Sequence, residues 1–110
     1  MAHFMVTCTY SDQAKAALVA NPTDRAKAAS AAIEAAGGKL HSAFMTLGDS
    51  DVLVIYEVPD TVAAAALAVT LSTSGAFSSV KTTALLTVPE GIKALKLSSE
   101  TRAAYKPPAK

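Results

Sequence analysis

Val52-Leu53-Val54-Ile55-Tyr56-Glu57-Val58 is the most apolar run in the chain. Turn-forming residues bracket it, Gly48-Asp49-Ser50-Asp51 before and Pro59-Asp60 after. Such a run of β-branched and aromatic residues specifies a strand. Because it is apolar at nearly every position, it needs cover on both faces and belongs in the centre of a sheet. The rest of the chain must flank it with other strands and roof it with helices, or borrow a roof from elsewhere.

The flanking elements follow from local chemistry. Phe4 to Tyr10 reads as a strand with unlike faces: Phe4, Val6, Cys8 and Tyr10 on an apolar side, His3, Met5, Thr7 and Thr9 on a mixed one. Ser11 offers an N-cap, with Asp12 in the first turn, for a short helix through Leu18. Asn21-Pro22 reads as the cap and first position of a second helix, which Gly37-Gly38 stops. Leu40 to Leu47 alternates weakly as a strand, and the turn at Gly48 to Asp51 joins it directly to the central run. Asp60 or Thr61 caps a helix in which Ala64, Leu67, Ala68 and Leu71 recur at helical spacing. Phe77 to Val88 is a fourth strand, long enough to carry a bulge. Pro89-Glu90 then opens a helix through about Tyr105, ahead of a Pro-rich tail. The order β-α-β-β-α-β with right-handed crossovers predicts an α+β fold: a ferredoxin-like antiparallel sheet with both main helices on one face. Residues 1–88 make that domain, and 89–110 the extra C-terminal helix and tail.

A two-layer sandwich of this order leaves one sheet face bare. Met5, Thr7 and Thr9 share it with Leu53, Ile55 and Glu57, and Lys81, Thr83 and Leu85 are their expected neighbours. Soluble monomers avoid exposing an apolar patch of this kind. Stacking two bare faces covers both, so the expected partner is a second copy, in a homodimer or larger even-numbered homo-oligomer with a barrel-like interior. That interior suits a small, largely apolar ligand, lined by Met5, Thr7, Thr9, Ile55, Glu57 and Lys81. Composition presses the same way. With 24 alanines in the chain, the helices offer small knobs that must lie close to the sheet or leave surface for a partner. Ile92, Leu95 and Leu97 of the C-terminal helix are expected to dock across the seam between copies.

Five short motifs stand in a telling order. They are Tyr10-Ser11-Asp12-Gln13, Gly37-Gly38-Lys39-Leu40, Thr46-Leu47-Gly48, Asp51 ahead of the Val-rich strand, and Glu57-Val58-Pro59-Asp60 ahead of an alanine-rich helix. Together they resemble the GYD domain family, small proteins named for a Gly-Tyr-Asp signature. The resemblance covers about Phe4 to Val88, and Tyr105-Lys106-Pro107-Pro108 is similar to the tail of longer members. It departs at the signature itself, where Ser50 stands in place of the Tyr. The resemblance implies a ferredoxin-like fold of the dimeric α/β-barrel type, and it implies no established activity.

Glu57 carries the main chemical interest. A carboxylate on an apolar strand facing an interior would have a raised pKa and act as a base. Its plainer role is to meet water or Lys81 at the strand end. His41 is the second catalytic candidate, and His3 is of the same kind, because imidazole titrates near neutrality. Both also read as partly exposed surface residues. No pair of these residues has a local metal-ligand spacing, so no metal site is expected unless ligands gather across strands or subunits. Cys8 faces the helices with Val6 and Tyr10 and reads as a buried core residue. Gly48 to Asp51 reads as turn chemistry ahead of cation binding. The chain has no Gly-rich phosphate loop, and no cofactor is expected.

Ten basic against nine acidic residues argue against a dedicated nucleic-acid binder. A single Cys excludes an intrachain disulfide framework. No apolar stretch is long enough to cross a membrane, and Met1-Ala2-His3-Phe4 lacks the charged start of a secretory signal, so a cytoplasmic location is expected. Three classes of function remain, ranked in this order. The first is a module binding a small molecule between paired sheets. The second is an assembly protein whose bare face serves only oligomerisation. The third is a cofactor-independent enzyme of oxygenase or isomerase type, which rests on fold analogy.

Overall fold

In the computed structural model, which describes residues 1–109, the chain begins with strand β1 (Ala2–Tyr10) and helices α1 (Asp12–Ala20) and α2 (Arg25–Ala35). Strands β2 (Lys39–Met45) and β3 (Val52–Val58) follow, then helix α3 (Thr61–Ser72), strand β4 (Phe77–Leu85) and helix α4 (Val88–Ala104). The strands form one antiparallel sheet in the ferredoxin-like order β2-β3-β1-β4, with the apolar β3 in the interior.

Alternation along β1 and β3 sends Phe4, Val6, Cys8 and Tyr10, with Val54, Tyr56 and Val58, under the helices. Ile33 of α2 and Ala64 and Leu67 of α3 complete that core. The Phe4 and Tyr56 rings stack with centroids 5.9 Å apart. Each large apolar side chain buried here contributes about 1.5–3 kcal/mol, so the helix-facing side of the sheet is the main source of stability. Burial also pushes the Cys8 thiol up to about 11. It is a core residue, and too little thiolate forms near neutrality for it to act as a nucleophile.

Several element boundaries differ from those expected, and two of the shifts have clear local causes. Asn21 ends α1, its N–H donating to the Ala17 carbonyl at 2.9 Å, and α2 begins only at Arg25, too far along for Asn21 to cap it. Asp24 takes that role by accepting from the Ala26 N–H at 3.0 Å, and Pro22 stays in the link. Likewise β4 stops at Leu85 because Thr87 caps α4. Its hydroxyl accepts from the Glu90 N–H at 3.3 Å while the Glu90 carboxylate accepts from the Thr87 N–H at 2.8 Å. The far end of α2 behaves as its glycines demand. Gly37 adopts φ 85°, and Gly38 and Gly37 donate to the Ile33 and Glu34 carbonyls at 2.9 Å each.

Helix α4 stands off from the rest. None of its residues is buried, and it makes no substantial packing contact with the sheet or the other helices. The radius of gyration is 17.6 Å, against about 13 Å for a compact chain of this length. The bare face of the sheet is therefore not roofed by the chain's own trailing helix. Among the described residues, no helix is long and apolar enough to cross a membrane.

On the helix side, α2 lies over β2 while α3 lies over β4 and the margin of β3. The two helices do not pack substantially on each other. Alanine side chains are too short to close the gap between them.

Candidate functional site

The bare face gathers its chemistry at one end. The register pairs His3 with Glu57 across β1 and β3, and Lys39 with Glu57 across β2 and β3. A bulge then interrupts β2: Leu40 pairs with Tyr56 and Ser42 with Ile55, leaving His41 as the extra residue. Leu40 and Ala43 both keep helix-side partners, Tyr56 and Val54, although they lie three residues apart. The insertion thus turns His41 and Ser42 together toward the bare face.

Three side chains from adjacent strands converge as a result. His41 Nε2 hydrogen-bonds Glu57 Oε2 at 2.8 Å, and His3 Nε2 lies 3.2 Å from the same oxygen. The imidazole centroids are 5.4 Å apart with the rings tilted by 42°. The side chains of His3, His41 and Glu57 are 28%, 36% and 21% exposed, so the cluster is open to solvent. His3 Nδ1, on the side away from Glu57, is buried without a hydrogen-bond partner.

This setting reverses the expected titration of Glu57. The hydrogen bond with His41 holds its carboxyl below the usual carboxylate range, against a smaller opposing effect of desolvation. The charges of His41, His3 and the N-terminal amino group lower it further. Glu57 is an ionised acceptor at neutral pH, not the raised-pKa base that its apolar strand suggests. Lys81 is not its partner either, because the register sets Lys81 across from Thr7.

The other residues expected on this face do share it. Met5 pairs with Ile55 and Thr83, and Thr7 with Leu53 and Lys81. Thr9 lies at the far end, where its hydroxyl donates to the Asp49 carbonyl at 3.2 Å. Asp51 acts in the same place as a latch. Its carboxylate accepts from the Tyr10 N–H at 2.9 Å, and its own N–H donates to the Cys8 carbonyl at 2.8 Å. The Gly48 to Asp51 segment is therefore occupied with turn and strand chemistry.

A concave space lies on the opposite side of the sheet. A cleft of about 600 Å³ opens between α2 and α3. Ala26, Ala29 and Ala32 line one wall and Leu67 and Leu71 the other, over a floor that includes Val6, Cys8 and Val54. Arg25 and Tyr10 also line it. Burial pushes the Tyr10 phenol up, while the positive charge of the Arg25 guanidinium pulls the other way. Val6, Cys8 and Tyr10 are buried on the helix-facing side as the alternation of β1 requires, but that alternation does not reveal the cleft above them. The available signal was the alanine stripe of α2, whose side chains cannot reach a neighbouring helix.

A family model described as GYD domain matches residues 4–104, taking in α4 as well as the sheet and its helices. No curated protein matches the chain.

Proposed function

We propose, from the premise that this chain belongs to the GYD domain family, that it binds a small amphipathic molecule in the cleft between α2, α3 and the sheet. The cleft itself carries this reading. Its volume of about 600 Å³ falls within the roughly 300–1,000 Å³ of small-molecule sites. An apolar tail would displace water from Ala29, Ala32 and Leu71, and an anionic head group would meet Arg25. This keeps the class of function expected from sequence and moves the chamber from the bare face to the helix layer. Decanoate and decanol serve as probes in calorimetry and thermal melting. Decanoate is expected to saturate at one molecule per chain and to raise the melting temperature. The double substitution Ala29→Leu/Ala32→Leu fills the cleft and should abolish binding without lowering that temperature. Arg25→Gln should weaken decanoate and leave decanol unchanged. Undiminished binding to the filled variant would refute the assignment.

The bare face supports a second element of the reading, pairing with another copy of the chain. Met5, Leu53, Ile55 and Leu85 lie on it, and α4 leaves it uncovered. Phe44, 61% exposed, extends the patch from β2. A twofold pairing buries this patch against itself, and the free α4, with Ile92 and Leu95 exposed, extends the contact. Leu53→Lys introduces a charge from each copy into that contact, at a cost of at least about 3 kcal/mol, or roughly 100-fold in association. Sedimentation should find the wild type at twice the chain mass and the variant as a monomer. Equal masses for the two would remove this element and leave the cleft assignment intact.

A further inference from the structure

We propose that His3, His41 and Glu57 form a binding site for a first-row divalent transition-metal ion, held by two imidazole nitrogens and one carboxylate, with its remaining coordination positions open. The three potential ligand atoms lie within 4.8 Å of one another. Ligands bound to one ion at ~2.0–2.2 Å stand about 3 Å apart. Each Nε2 atom, at 2.8 and 3.2 Å, already has that separation from Glu57 Oε2.

The arrangement is pre-organised by the sheet. One ligand comes from each of three adjacent strands, and the β2 bulge supplies the one residue that register alone would not aim. Sites built on strands hold their geometry better than sites on loops. The donor set decides the class of ion. Two imidazoles with one carboxylate suit zinc, iron(II), cobalt, nickel or manganese, whereas calcium and magnesium prefer oxygen alone. Cys8 faces the helices, so no thiolate from this chain joins the set. In the single chain, the exposure of all three side chains at the end of the bare face leaves room for water or a ligand on the ion, as in sites that act on a bound molecule rather than merely brace a fold.

The two imidazoles are not equivalent. A ligating ring is normally fixed by a hydrogen bond from its other nitrogen, and His3 Nδ1 is buried with no acceptor. The more exposed His41 can satisfy its second nitrogen with water. His41 is therefore the stronger ligand of the pair.

The site is complete within one chain and depends neither on the cleft nor on pairing of copies. Its test is titration of the full chain with Co²⁺, followed by visible absorption, and with Zn²⁺ by calorimetry. One ion should bind per chain, with a d–d band of low-symmetry coordination. His41→Gln and Glu57→Gln should each weaken binding by at least about tenfold, and His3→Gln by less than His41→Gln, with circular dichroism unchanged. Leu53→Lys should retain the ion. The absence of a saturable signal overturns the proposal, as does wild-type affinity in either His41→Gln or Glu57→Gln. Loss of the ion in folded Leu53→Lys also overturns it, by showing that one chain does not suffice.

Discussion

Gly38→Ala is expected to destabilise the fold by about 3 kcal/mol or more, lowering the melting temperature by roughly 12 °C or more. A Cβ at this position would stand 2.2 Å from the Glu57 carbonyl oxygen, 2.6 Å from Val58 Cγ1 and 3.1 Å from Ile33 Cγ2. None of these can step aside cheaply. The oxygen belongs to the backbone of β3, Val58 is fully buried, and Ile33 is the one buried residue of α2. The chain must instead swing β2 away from β3 at Lys39, where the strand begins. That movement separates His41 from Glu57, so the same substitution should weaken metal binding along with stability. Gly91→Ala is the control, because nothing lies within 4 Å of its Cβ and α4 is unpacked. A melting temperature for Gly38→Ala within a few degrees of the control would mean that the close approach of Gly38 to β3 is not as described.

Tyr56→Ala should cost about 3–5 kcal/mol, measured as a fall in the urea midpoint with unchanged slope. The ring is 2% exposed in the middle of β3, stacked on Phe4. Large-to-small substitutions lose the transfer free energy of the missing atoms and add the cost of the void, unless neighbours collapse inward. Collapse is poorly supported at this position. Tyr56 also borders the cleft, where Ala26, Ala29 and Ala32 of α2 are too short to reach into the space, so inward collapse would have to come from Ile33 and the leucines of α3. A loss below about 1 kcal/mol would indicate a helix layer that closes freely over the sheet, which would also undermine the cleft as a binding site.

The sheet was largely legible in the sequence because strand periodicity reports faces directly. His3, Met5 and Thr7 fall on one side of β1 and Phe4, Val6 and Cys8 on the other, as their alternation requires. The central place of β3 followed from its two apolar faces. Register was not legible. A hairpin turning directly at Gly48 to Asp51 would pair Leu47 with Val52 and set Ser42 across from Glu57. The observed pairing begins at Met45 with Val52, and the bulge then shifts it once more, so Lys39 faces Glu57 and His41 reaches it. Neither step leaves a compositional mark beyond the weak alternation of β2. For that reason Glu57, His41 and His3 were each visible as chemistry, but their meeting was not. The cleft escaped for a different reason. Alanine at helical spacing marks a buried stripe whether the opposite helix lies against it or stands away, and spacing alone does not measure the distance between helices.

The extra residue in β2 has an effect beyond aiming an imidazole. β2 is an outer strand of the sheet, and a regular outer strand invites hydrogen-bonded extension by a foreign segment. With the repeat broken between Leu40 and Ser42, the free N–H and C=O groups along that margin fall out of step, and an incoming strand cannot bond to both halves at once. Growth into ribbons is blocked along this side, which leaves the chain protected against one common route to insoluble aggregates.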